Sequence, residues 1–219
     1  MAKQTFNDLG ISKDTASILT KKGYQVPTDI QAALIPAFFE SHQDIIAKAD
    51  TGTGKTGAFG IPLIDTMDTS QKQVQAIAIA PTRELASQVA KELSIYKGRK
   101  GIDIIELCGG QGMREQIAQL KRMRRATIVV GTPGRILDHL NKKRLNLSNI
   151  TCLIIDEVDE MLNFGFKEDM DLIVEKTNPD RRTIILSATL PKFVLKVAKS
   201  YLDHPIELDC VADPGNKPN

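Results

Sequence analysis

Residues 44–60, DIIAKADTGTGKTGAFG, constrain the rest of the chain more than any other stretch. A short apolar run with β-branched residues leads into a turn of glycine and threonine around one lysine, and an apolar helical pattern opens near Lys55. The order reads as a buried strand, a phosphate-binding loop and a helix N-terminus. Gly52 and Gly54 let the backbone curl so that successive N–H groups converge on an anion, and the helix adds its unsatisfied donors and positive dipole end. Lys55 then offers a point charge to the β and γ phosphates of a nucleotide, and the Thr56 hydroxyl is placed for Mg²⁺. Ala49 occupies the first position, where the strict pattern has glycine. A loop of this kind can also be only a tight turn; the Gly-Lys-Thr triplet directly after a hydrophobic strand argues for phosphate.

The remainder alternates short strands and helices. Strands are expected at 76–80, 102–107, 127–130, 153–155 and 183–186 in addition to the one before the phosphate loop. Helices are expected at about 12–21, 29–39, 55–67, after Pro81 through Tyr96, and at 113–123, 134–141, 168–176 and 191–201. Ser12 is followed at the third position by Thr15 rather than Glu, which leaves a capping box incomplete, whereas Thr28 is a candidate cap for the second helix. Continuous apolar strands imply a sheet covered on both faces, and repeated strand–helix units make it mainly parallel: a three-layer α/β/α sandwich.

A chain of 219 residues suits one such domain, with some length left for a short extension. The formal charge of +2 is too small to indicate a nucleic-acid partner by itself. Cys108, Cys152 and Cys210 are far apart and odd in number, and the first two lie in or beside apolar runs, as reduced buried thiols do. His42, His139 and His204 show no metal-ligand spacing. No apolar run approaches the roughly 18 residues of a membrane helix, and the N-terminus lacks a signal-peptide pattern. These features point to a soluble cytoplasmic protein, and a monomer is expected. The closing DPGNKPN reads as linker, so residues 1–208 are expected to form the domain and 209–219 the start of a connection to another.

A second chemical centre stands at Asp156 and Glu157, the end of TCLIIDE. Adjacent carboxylates at the carboxyl end of an apolar strand are costly unless cations or ordered water meet them. That end of a parallel sheet is also where ligands collect. Asp156 is therefore a partner for Mg²⁺, and Glu157 can orient or deprotonate an attacking water, a pairing that with Lys55 and Thr56 points to nucleoside triphosphate hydrolysis.

At this level of detail the chain resembles the DEAD-box ATP-dependent RNA helicases over nearly its whole length. ADTGTGKT at 49–56 is similar to motif I of that family, DEVD at 156–159 to motif II, PTRELA at 81–86 to motif Ia and TPGR at 132–135 to motif Ib. Gly109 and Gly110 match the glycine doublet, SAT at 187–189 matches motif III, and GYQVPTDIQ at 23–31 resembles the adenine-recognising Q motif, with Phe6 at the usual distance before it. Seven such strings in the family's order are highly specific. Departures are Val158 for alanine, Asp50 for glutamine, Thr53 for serine and Tyr24 for phenylalanine. The family's second RecA-like domain, with motifs IV, V and VI and the arginines that reach the γ phosphate, is absent from the chain.

The resemblance implies a RecA-like fold that binds ATP and Mg²⁺. It implies that Gln31 reads adenine, Phe6 stacks near the base, Tyr24 and Thr28 support that loop, and Ala49, Thr51, Gly52, Thr53, Gly54, Lys55 and Thr56 wrap the phosphates. Ser187 and Thr189 would couple the nucleotide site to the RNA-bound state, with Asp159 bonded to their segment. RNA contacts would come from Pro81, Thr82, Arg83, Gly110, Thr132, Pro133, Gly134 and Arg135. Glycine N–H groups, helix N-termini and arginine forks suit phosphate oxygens, so the contacts would be indifferent to base sequence. Lys121, Arg122, Arg124 and Arg125 read as a solvated helix end rather than a nucleic-acid patch. Alternatives are a P-loop ATPase that remodels DNA or protein, and a non-catalytic RNA-binding scaffold.

Overall fold

The computed structural model describes residues 4–110 and 112–211. Its strands are β1 (Ile45–Lys48), β2 (Val74–Ile79), β3 (Ile102–Leu107), β4 (Ala126–Gly131), β5 (Cys152–Ile155), β6 (Arg182–Ser187) and β7 (Ile206–Asp209). They form one sheet in the order β3-β4-β2-β5-β6-β1-β7, and every pairing is parallel.

The apolar strands are apolar because both of their faces are covered. Ile45 and Ala47 of β1 enter one hydrophobic cluster while Ile46 between them enters another, and Ile154 of β5 is separated in the same way from Leu153 and Ile155. On the first face lie α1 (Lys13–Lys21), α2 (Asp29–Glu40), α3 (Lys55–Thr66) and α4 (Arg83–Tyr96), which contribute Leu19, Ile30, Leu34, Phe59 and Leu93. On the second lie α6 (Pro133–Asn141), α7 (Val158–Asn163), α8 (Lys167–Glu175) and α9 (Lys192–Lys199), which contribute Ile136, Met161, Met170 and Val194. Leu120 of α5 (Met113–Lys121) packs against this second cluster. The three-layer α/β/α architecture is thus the one that the strand pattern implies.

Two elements escape the sequence pattern. β7 is a short edge strand, IELD, whose charged residues carry no buried run, and only its pairing with β1 makes it a strand. Pairing continues to Cys210, whose N–H donates to the Lys48 carbonyl at 2.8 Å. The linker stretch 212–219 lies outside the described residues. The other element is α7, a helix of six residues that begins directly after the Asp156–Glu157 pair.

The start of α1 is held by a polar clasp around its N-cap Ser12 rather than by a capping box. Ser12 Oγ accepts from the Thr15 N–H at 3.3 Å, while Asp65 near the end of α3 accepts from the Ser12 N–H at 2.7 Å, the Ser12 hydroxyl at 2.6 Å and Lys100 Nζ at 2.8 Å. Burial works to raise the Asp65 pKa, and these donors, with the Thr15 hydroxyl, outweigh it and hold the carboxyl below the usual range. The clasp joins α1, α3 and the segment before β3. Lys121, Arg122, Arg124 and Arg125 are exposed at and beyond the end of α5, in keeping with a solvated helix end.

Candidate functional site

The chemical residues lie at the carboxyl ends of the strands, and the sheet order divides them into two adjoining groups. The phosphate loop follows β1 and the acidic pair follows β5, with β6 alone between them. Pro81–Arg83, Gly109–Gly110 and Thr132–Arg135 follow β2, β3 and β4, the other half of the sheet.

In the first group the loop is anchored by the Ala49 N–H, which donates to the Ser187 carbonyl of β6 at 3.0 Å. Gly52 and Gly54 have φ of 79° and 91°, a region that a side chain makes strained, and Gly54 caps α3 in that conformation. Thr53 donates its hydroxyl to the Asp50 carbonyl at 2.7 Å. Thr51 and Asp50 are exposed, so the Asp50 carboxylate faces solvent. Lys55 and Thr56, the first residues of α3, are instead buried. The Lys55 ammonium has no hydrogen-bond partner, and the Glu157 carboxylate stands 3.6 Å from it. A buried ammonium whose hydrogen bonds are unmade is costly, which fits a group that receives phosphate oxygens.

Asp156 and Glu157 are both buried, although successive strand residues ordinarily point to opposite faces. The turn between them comes from Glu157, which takes a left-handed backbone conformation, φ 54° and ψ 52°. That conformation costs a non-glycine residue on the order of 1–3 kcal/mol and clusters at functional sites. Burial pushes the Asp156 carboxyl up to about 6, with Lys55 opposing and Glu157 reinforcing the shift. Its Oδ1 atom is buried without a partner. Among the described residues no group of three or more His, Cys, Asp or Glu could hold a metal. A cation here would rest on one carboxylate, the Thr56 hydroxyl, nucleotide phosphates and water, the mixed shell that Mg²⁺ prefers.

Asp159, on the first turn of α7, reaches the loop after β6. Its Oδ2 accepts from the Thr189 N–H at 2.9 Å and the Thr189 hydroxyl at 2.8 Å, and Ser187 Oγ donates to the Thr189 carbonyl at 2.6 Å. Burial raises the Asp159 pKa, but hydrogen bonds from Thr189, Ser187 and the backbone together carry it below the usual value. Val158 beside it is fully buried in the second core cluster.

Gln31 is buried at the start of α2 and joins the nucleotide elements. Its Oε1 accepts from the Thr28 N–H at 3.1 Å, and its Nε2 donates to the Gly54 carbonyl at 3.1 Å. The amide therefore sits on the phosphate loop rather than projecting from an exposed helix, and Thr28 is exposed at its cap. Tyr24 packs edge-on against Tyr96, with ring centroids 5.8 Å apart. Phe6 is only 4% exposed and packs into the first core cluster.

In the second group Thr82 caps α4, accepting from the Leu85 N–H at 3.3 Å, and Arg83 is exposed. Its guanidinium packs over Gly110, where an added Cβ would lie 2.8 Å from Nη1. Gly110 and Gly134 are exposed, and Thr132 and Arg135 are partly so. Pro81 and Pro133 are buried in their turns. Sequence reasoning passed over Gly131, where a Cβ would lie 2.2 Å from the Leu107 carbonyl and force β3 and β4 apart. It also passed over Gln116 and His139, buried polar residues on α5 and α6 that belong to no motif.

Residues 28–197 match the DEAD/DEAH box helicase family. The chain belongs to that family. A probable ATP-dependent RNA helicase of Methanocaldococcus jannaschii is 46% identical over 197 residues, covering 90% of this chain and 53% of that protein. The DEAD-box ATP-dependent RNA helicase CshA of Bacillus cereus is 43% identical over 215 residues, 98% of this chain and 40% of that protein. The crystal structure of a DEAD box protein from the hyperthermophile Methanococcus jannaschii superposes with a TM-score of 0.88 at 43% identity, covering 94% of this chain and 56% of that one. This DEAD-box chain thus spans about half the length of the relatives it matches, or less. No helix of its described residues is long and apolar enough to cross a membrane.

Proposed function

We propose that this chain is the ATP-binding RecA-like domain of an ATP-dependent RNA helicase, and that ATP and Mg²⁺ bind between the loops after β1 and β5. The supporting observation is the division of one sheet edge into adjoining halves, phosphate loop and acidic pair on one, arginine- and glycine-bearing turns on the other. Adjacency of this kind lets one domain sense both ligands at once. Lys55 would neutralise charge on the β and γ phosphates, and Asp156 with Thr56 would hold Mg²⁺, whose bound charge helps stabilise phosphoryl transfer. Glu157 would take the proton of the attacking water. Gln31 would read adenine through the N–H and the lone pair that its two internal bonds leave over. Asp159, Thr189 and Ser187 would couple the two halves.

RNA would be gripped by Thr82, Arg83, Gly110, Thr132, Gly134 and Arg135 through its backbone, without base readout. A second RecA-like domain, following residues 209–219, would supply the arginine that stabilises the γ phosphate in the transition state and the other half of the RNA track. The domain alone would be a monomer with little turnover, and the intact cytoplasmic protein would clamp and locally unwind RNA duplexes in an ATP-driven cycle.

Steady-state phosphate release with and without RNA tests this reading on the 219-residue chain and on the same chain joined to a second domain. RNA stimulation is expected only from the two-domain protein. Strong RNA-stimulated hydrolysis by the single domain would overturn the division of labour, and stimulation by DNA in place of RNA would overturn the substrate.

A further inference from the structure

Gln116 is 1% exposed, in a helix whose other residues are mostly at the surface, and a glutamine at such a position requires partners. It has three. Its Oε1 lies 3.0 Å from Arg135 Nη1 and 3.0 Å from His139 Nε2, and its Nε2 donates to the Cys108 carbonyl at 2.8 Å. The Cys108 bond fixes which end of the amide faces which way, because the reverse orientation would set carbonyl against carbonyl and NH₂ against a guanidinium. His139, fully buried on α6, must then carry its proton on Nε2 to donate. Burial, followed by the nearby Arg144 and Arg135, holds its pKa down and keeps it neutral, with Asp138 opposing and Lys142 reinforcing.

We infer that Gln116 is a positioning residue for RNA binding: its buried amide, held by His139 and the Cys108 carbonyl, orients the Arg135 guanidinium toward the backbone of bound RNA. This deepens the RNA-binding reading above and rests on it. Gln116 and His139 are too buried to touch a ligand, so they act only through Arg135, which is partly exposed at the first turn of α6. An arginine ordered before binding loses less rotamer freedom on meeting a phosphate, and its fork is presented in one plane. A core position needed only for stability would be served by leucine without three polar groups to match.

The test measures binding of a fluorescent single-stranded RNA to the 219-residue chain across a salt series, alongside ADP affinity and melting temperature. Gln116→Leu should weaken RNA binding about tenfold, the order expected for a hydrogen bond to a charged group. The slope of log affinity against log salt should become shallower by about 0.7, the value of one phosphate contact on a single strand. ADP affinity should not change. In an Arg135→Ala background the same substitution should cost less than about twofold, since nothing remains to be oriented.

His139→Gln keeps a donor and should bind RNA like the unaltered chain, whereas His139→Leu should reproduce the Gln116→Leu defect. This pair decides the matter if Gln116→Leu does not fold. An undiminished loss in the Arg135→Ala background, or a loss of ADP binding in step with RNA binding, would overturn the positioning role. Absence of RNA binding by the unaltered chain would instead overturn the RNA reading itself and the inference with it.

Discussion

The Lys55 ammonium and the Glu157 carboxylate face one another at 3.6 Å, too far for a hydrogen bond and buried enough to interact strongly. They come from loops after different strands, β1 and β5, and Asp156 lies beside them. The site thus holds one cation and two carboxylates close together without letting them neutralise each other by direct bonds.

Lys55→Ala should weaken ATP binding by about 2–5 kcal/mol, the cost of losing one partner of a buried charged contact. Circular dichroism should show an unchanged fold, because the ammonium makes no hydrogen bond within the protein. Calorimetric titration with ATP and Mg²⁺ provides the check, and unaltered affinity would remove Lys55 from its role.

Asp156 makes a prediction about pH. Its carboxyl is raised from an ordinary 3.8 to about 6, so between those values the folded chain binds a proton that the unfolded chain has released. Stability from this group therefore falls as pH rises from about 4 to about 6, and the cost of the buried charge persists above that range. Asp156→Asn should be more stable than the unaltered chain at pH 7 by on the order of 1–3 kcal/mol, with no advantage below pH 4. Urea unfolding at several pH values would read this directly; a gain independent of pH would refute it.

The bond between Asp159 and Thr189 should appear as a coupling energy. Asp159→Asn and Thr189→Val are expected to interact by about 0.5–3 kcal/mol in a double-mutant cycle of unfolding. Because the Asp159 pKa is lowered in the fold, its contribution is present above the ordinary carboxyl value and is lost as pH falls through the folded one. Strictly additive effects at neutral pH would show that α7 and the loop after β6 are held together by other contacts.

Gln31→Ala should act on both stability and base preference. Loss of its bonds to Thr28 and Gly54 should lower stability by about 1 kcal/mol and loosen the phosphate loop, weakening ADP and GDP alike. Loss of adenine reading should add a further penalty of about 1–3 kcal/mol for ADP only. Competition binding separates the two, and equal losses would assign Gln31 to loop support alone.

Much of the site was legible because its parts are short and local. The Gly-Lys-Thr triplet, the Asp156–Glu157 pair and the capping Thr28 each announce a backbone geometry within a few residues. The burial of Phe6 in the first core cluster was not, since nothing local distinguishes an exposed aromatic ring from one that fills a core. Gln116 and His139 were not, because their partners come from other elements and no spacing within either helix records them.

The chain by itself determined the elements and their chemistry: six buried strands, the helices between them, a phosphate loop and a carboxylate pair at strand ends. Only the tertiary structure decided which strands are neighbours, that β1 and β5 flank β6 so that the segments after them bring Lys55 to the Asp156–Glu157 pair, and that IELD at 206–209 becomes an edge strand on β1. The reason is physical. Each interior strand is apolar on both faces and would bury as well beside one partner as another, so the order comes from the packing of all the connecting helices at once, a property of the whole chain rather than of any stretch.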